Sequence, residues 1–164
     1  MNKTPAENLI YISGLEKTYR ETGENLTIFS GLNMTVKRGS KTLILGESGS
    51  GKSTLLNIIG ALDVPTAGTV RVGDYDVADL DENRAAEYRS SFLGLIFQFH
   101  YLLKDFTALE NVFLPLYMKG VSKKEAKERA AQLLADVGLD KRMNHLPSQL
   151  SGGERQRAAV ARSL

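Results

Sequence analysis

The 164-residue sequence has no cysteine, which excludes a disulfide framework and thiolate chemistry and suits a reducing compartment. No apolar run approaches the ~18 residues that a membrane-spanning helix needs. The chain starts polar and then turns strand-like, with no apolar region of the kind a secretory signal carries. Neither sign of charge prevails: 21 Lys and Arg stand against 19 Asp and Glu, a net charge of +2, spread along the chain rather than striped. That balance gives no reason to expect a nucleic-acid partner. Internal repeats and low-complexity tracts are also absent. What remains is an ordinary cytosolic composition, 42% hydrophobic and 24% charged, on a chain long enough for one domain with a core.

The most specific feature present is GESGSGKST, from Gly46 to Thr54. Gly46 and Gly51 bracket four residues, and Lys52 and Ser53 follow, matching the G-x-x-x-x-G-K-[ST] phosphate loop. Upstream, residues 42–45 (TLIL) read as a short buried parallel strand. Downstream, residues 55–62 read as a helix with Leu55, Ile58, Ile59 and Leu62 on one face. Glycines let such a loop curl until successive N–H groups point at phosphate oxygens, and the following helix adds its positive end. In that frame the Lys52 ammonium is expected to reach the β- and γ-phosphates and the Ser53 hydroxyl to ligate Mg²⁺.

Around the loop, residues 9–13 and 27–37 read as strands joined by a polar turn at 20–25, and residues 69–72 and 75–77 as a smaller pair set off by Gly68 and Gly73. Residues 81–92 read as a polar helix and 93–97 as a second short apolar strand. Beyond this the pattern is helical. Residues 108–118 are apolar but contain Pro115, which predicts a kink or break. Residues 122–137 form the clearest helix, with Ser122 and Glu125 as a capping box and Ala126, Ala130, Leu133, Leu134 and Val137 as its buried stripe. Glu125 and Arg129 are spaced for an i,i+4 ion pair, and Gly138 supplies the stop.

A second constellation, LSGGERQR, runs from Leu150 to Arg157 ahead of a helical run. Ser151 is placed to cap that helix, and Gly152 and Gly153 to expose N–H groups at its positive end, making a second anion site. Together with the phosphate loop, LSGGE followed by Arg and Gln resembles the signature motif of ABC-type ATPases. The resemblance implies ATP and Mg²⁺ as cofactors, held by Gly46, Glu47, Ser48, Gly49, Ser50, Gly51, Lys52, Ser53 and Thr54. It implies further that Tyr19 stacks on adenine and that Gln98 acts as the Q-loop glutamine touching Mg²⁺ and the attacking water. In that family two domains pair head to tail, so Ser151, Gly152, Gly153 and Glu154 would meet the nucleotide bound by a partner copy. His100 and His145 fall outside the catalytic motifs and read as loop-packing residues.

QFHYLLKDFTALENV, from Gln98 to Val112, resembles the lipoprotein-releasing branch of the family, as do Gly60-Ala61-Leu62-Asp63 and Asn144-His145-Leu146-Pro147. Macrolide and peptide exporters share most of these motifs, and Lys104 stands where the lipoprotein branch is expected to have proline. The likeness implies integral membrane permease subunits as partners, a homodimer of ATPase subunits, no nucleic acid, and a place on the cytoplasmic face of the cell membrane. It implies an α/β P-loop fold whose antiparallel β subdomain and core occupy about residues 1–83. A helical subdomain would cover about 84–149, with the signature motif and its helix at 150–164.

Family members continue with an apolar strand ending in Asp-Glu, which bears the general base, and with a switch histidine on a further strand. The sequence ends ten residues after Glu154, so no residue here takes the role of the base. The chain is accordingly expected to be a truncated domain whose strands at 42–45 and 93–97 lack their neighbours, binding nucleotide weakly without turnover. Two other readings are a soluble ABC protein of DNA repair or translation and a nucleotide-binding module that does not hydrolyse ATP.

Overall fold

A computed structural model describes residues 7–21 and 24–164. The polar start of the sequence and the centre of the turn expected at 20–25 lie outside them. The chain divides into two compact units at Leu93/Gly94.

In the first unit, β1 (Asn8–Glu21), β2 (Glu24–Lys37), β3 (Ala67–Val72) and β4 (Tyr75–Asp76) form one antiparallel sheet in the order β2-β1-β3-β4. The β1–β2 hairpin is longer than the hydrophobic pattern predicts, because pairing continues through Thr18↔Thr27 to Glu21↔Glu24. Its register shifts between Ile12 and Leu15, where Asn33 Oδ1 accepts the Gly14 N–H at 2.9 Å. Gly68, the second residue of β3, has φ +93°, and a Cβ there would run into the Gly14 carbonyl, so this crossing requires glycine.

Helix α1 (Lys52–Ile59) lays Leu55, Ile58 and Ile59 onto Ile12, Leu15, Val70 and Val72. Leu62, predicted to extend that stripe, lies past the helix end and is 47% exposed. The chain leaves α1 through a Schellman closure: the Ala61 N–H donates to Ile58 O and the Leu62 N–H to Asn57 O, with Ala61 left-handed at φ +52°. Helix α2 (Glu82–Ser91), capped by Asp81, covers that end. The Tyr88 hydroxyl donates to Ile59 O at 2.7 Å and Arg89 to Ala61 O at 2.6 Å, which satisfies carbonyls that the helix end leaves open. Burial pushes the Tyr88 phenol up to about 12, so it stays a donor.

The strands predicted at 42–45 and 93–97 do not form. Leu43 and Leu45 are 79% and 80% exposed and Ile96 49%. An apolar run becomes a strand only when a ladder partner takes up its N–H and C=O groups, and among the described residues no strand pairs with either segment.

The second unit packs α3 (Ala108–Met118), α4 (Lys123–Asp136) and α5 (Gly152–Arg162) around Val112, Leu133, Leu134, Leu139 and Leu150, with Ala108, Ala130, Ala158 and Ala161 at the contacts. Of the kink or break predicted at Pro115, the break is not made. Proline withholds only the donor that the Asn111 carbonyl would use, and the Lys119 N–H still donates to Pro115 O at 3.2 Å, so α3 runs through. The predicted Glu125–Arg129 pair is likewise replaced. Glu125 Oε2 accepts the Ser122 hydroxyl at 2.6 Å, a shorter reach than the next helical turn. Thr107 with Glu110 and Ser151 with Glu154 make full capping boxes on α3 and α5.

Asn111 is 1% exposed and staples the loop before α3. Its Oδ1 accepts the Leu103 N–H at 2.7 Å, and its Nδ2 donates to the Leu103, Phe106 and Thr107 carbonyls at 3.0–3.1 Å. Asn111→Ala is expected to cost about 2–3 kcal/mol in urea unfolding, because buried backbone groups lose their partners. A cost under about 0.5 kcal/mol would mean that water replaces the amide in full.

Glu154 is held down to about 2, first by the Ser151 N–H and then by Arg142. A lowered carboxyl stabilises while ionised, so its support of α5 is complete above its ordinary 4.5 and fades as the pH falls towards 2. An NMR titration of the Glu154 carboxyl should show a midpoint near the lower figure; one near 4.5 would show that the box is open in solution.

Candidate functional site

The phosphate loop is exposed from Leu45 to Ser50 and leads into α1 through Gly51. Gly51 sits at φ +88°, and a Cβ on it would come within 2.6 Å of Ile28 Cγ2 and 2.9 Å of the Phe29 ring. Both the backbone conformation and the neighbouring strand therefore demand glycine here. The Lys52 ammonium bridges the loop, donating to Gly46 O at 2.8 Å, Glu47 O at 2.5 Å and Ser50 Oγ at 3.2 Å. One cation thus gathers both ends of the curl.

Of the five α-helices among the described residues, α1 alone has neither a side-chain cap nor an acidic residue in its first turn. The other four each satisfy an orphan amide with Asp81, Thr107, Ser122 or Ser151 and place a carboxylate against the positive end. In α1 the first-turn amides and the dipole are left for an outside anion. Ser53 is exposed and Thr54 half-buried on that turn.

Tyr19 lies on β1 in the same unit. Its hydroxyl donates to Asp63 Oδ2 at 2.6 Å, and the Lys17 ammonium stands 4.5 Å from its ring centroid. The hydrogen bond to Asp63 is the main reason its phenol is raised, with burial adding and the Thr54 side chain opposing. Lys17, only 8% exposed, donates to Asp63 Oδ1 at 2.5 Å and Val64 O at 2.8 Å. Burial works against ionisation of Asp63, but the bonds from Lys17, Tyr19 and the Val64 N–H outweigh it and hold the carboxyl below its usual value. Lys17 and Asp63 are not marked by any motif. They are 46 residues apart, and only the Gly60–Asp63 resemblance pointed to that stretch at all.

In the second unit α5 begins at Gly152, directly after its cap, where Ser151 Oγ accepts the Glu154 N–H at 3.3 Å. Ser151, Gly152 and Gly153 are exposed at its first turn. Both Glu154 oxygens are engaged: Oε2 accepts the Ser151 N–H at 2.8 Å and Oε1 accepts Arg142 Nε at 2.9 Å. Arg142, too, carried no sequence signal. Gln98 is exposed in the turn before His100 and Tyr101, which are both left-handed, at φ +49° and +45°. Arg162 at the end of α5 donates to both of their carbonyls at 2.6 Å. The His145 carbonyl accepts the Ala108 N–H at 2.9 Å. Both histidines therefore hold loops through their backbones.

The model of the ABC transporter family matches residues 29–164. The lipoprotein-releasing system ATP-binding protein LolD of Treponema denticola is 60% identical over 159 residues, covering 97% of this chain and 70% of that protein. LolD of Chromohalobacter salexigens is 44% identical, covering 99% of this chain and 70% of the relative. Among solved structures, MJ0796, a bacterial ABC transporter cassette, superposes with a TM-score of 0.89 at 42% identity, over 94% of this chain and 68% of that one. A second structure of MJ0796, a dimer in a post-hydrolysis state bound to ADP and Pi, gives 0.89 at 41%. An uncapped, acid-free helix end behind a glycine loop closed by lysine, and a likeness of this extent along nearly the whole sequence, agree: the chain belongs to the ABC transporter family of ATP-binding proteins.

Proposed function

We propose that the protein is the ATP-binding, energy-coupling subunit of an ABC exporter of the lipoprotein-releasing type. The observation that carries this reading is the start of α1, where Gly51, Lys52 and the uncapped first turn make a cationic cradle for a triphosphate. Lys52 already donates to two carbonyls and a hydroxyl oxygen, so it meets a phosphate by exchanging these for stronger, charge-assisted bonds. The amides of Gly46, Glu47, Ser48, Gly49, Ser50 and Gly51, with Thr54, line the cradle, and Tyr19 receives the adenine.

Mg²⁺ fits the donor set. Ser53 Oγ is a hard oxygen on the exposed first turn, and Mg²⁺ takes most of its remaining ligands from phosphates and water. When bound, the ion draws off charge from the phosphate oxygens. Ser151, Gly152 and Gly153 would grip the γ-phosphate held by a second copy, and Glu154 serves by keeping the Ser151 cap closed. Dimeric MJ0796 supports this pairing. The names of the LolD relatives, ATP-binding proteins of a lipoprotein-releasing system, support lipoprotein release; membrane permease subunits as partners, at the cytoplasmic face of the cell membrane, belong to the same proposal. No helix of the described residues is long and apolar enough to cross a membrane.

Lys52→Ala should lower ATP affinity by about 10- to 100-fold in calorimetry, the worth of its charge-assisted contacts. Unchanged affinity would place the nucleotide elsewhere.

A further inference from the structure

Helix α1 carries the phosphate cradle at one end and Asp63 just beyond the other. The Schellman closure fixes that placement, since Asn57 O accepts the Leu62 and Asp63 N–H groups at 2.8 and 3.3 Å. Asp63 then engages β1 twice. Its Oδ1 takes the nearly buried Lys17 ammonium at 2.5 Å, and its Oδ2 takes the Tyr19 hydroxyl at 2.6 Å. The Val64 N–H donates to Oδ1 as well, at 2.8 Å, so the carboxylate cannot swing away without losing three donors. The Tyr19 ring is thereby tied at its hydroxyl, and one face is taken by the cation 4.5 Å from its centre. Only the opposite face is left for a planar base to stack on.

We propose that Asp63 is a positioning residue for nucleotide recognition: paired with Lys17, it fixes the Tyr19 ring that receives the base and links that platform rigidly to the helix bearing the phosphate cradle. This rests on the nucleotide site proposed above. It sets apart two contributions to affinity, one from phosphates at the start of α1 and one from the base at Tyr19, and Asp63 acts on the second alone.

The test is calorimetry of the 164-residue protein with ATP and with inorganic triphosphate, for the wild type, Asp63→Asn and Tyr19→Phe. Asp63→Asn weakens a nearly buried ion pair. Tyr19→Phe keeps that pair and the ring and removes only the tether, so it carries the test if the first variant does not fold. Each variant should lose ATP affinity by about 5- to 10-fold, part of what stacking on an aromatic contributes, with triphosphate affinity unchanged. The double variant should lose less than the two single losses combined, because both act on the fixing of one ring. An ATP-to-triphosphate ratio equal to the wild type's in both variants overturns the role of Asp63. Failure of the wild type to bind either ligand overturns the underlying site instead.

Discussion

The contact between Gly51 and the Ile28 and Phe29 side chains of β2 governs the first unit. It lets the loop turn into α1 directly against the hairpin, with no side chain to hold the two apart. From there the helix lies where Leu55, Ile58 and Ile59 meet the sheet, and its first turn stays open. Any larger residue would both strain the left-handed backbone and drive the loop away from β2. The hydrophobic face and the cradle are therefore set by one absent side chain.

The two anion-binding candidates solve the same electrostatic problem in opposite ways. At α1 the positive end is left without a carboxylate, and a lysine is folded over the loop. At α5 the end is occupied by its own glutamate, so Ser151 and the glycines must meet any outside anion around that cap. Arg142 pairs with the Glu154 charge and adds to the Ser151 N–H bond that does most to keep the cap ionised. Such a site suits a ligand already neutralised in part by groups elsewhere, whereas the α1 site suits a bare polyanion.

Much of the molecule was legible because its signals are local. The helical period of Ala126, Ala130, Leu133 and Leu134 sits in a single stretch, and the Ser122 and Ser151 caps lie three residues from their glutamates. The hairpin and the phosphate loop are written in contiguous residues too. What could not be read depends on distant partners. Lys17 and Asp63 meet across 46 residues, Arg142 reaches Glu154 from a 3₁₀ turn, and Asn111 looks like any polar residue on an apolar helix until its loop folds back. The segments 42–45 and 93–97 failed for the converse reason. Their composition favours a strand, but a ladder belongs to two segments and cannot be inferred from one.

Arg162 has a consequence of its own. A single guanidinium clasps two consecutive carbonyls of a kink that no ordinary residue adopts willingly, and it does so from the final turn of α5. Both carbonyls therefore depend on the placement of one side chain, two and three residues beyond Gln98. The end of α5 opposite Ser151 is thus tied, through one side chain, to the loop that carries Gln98.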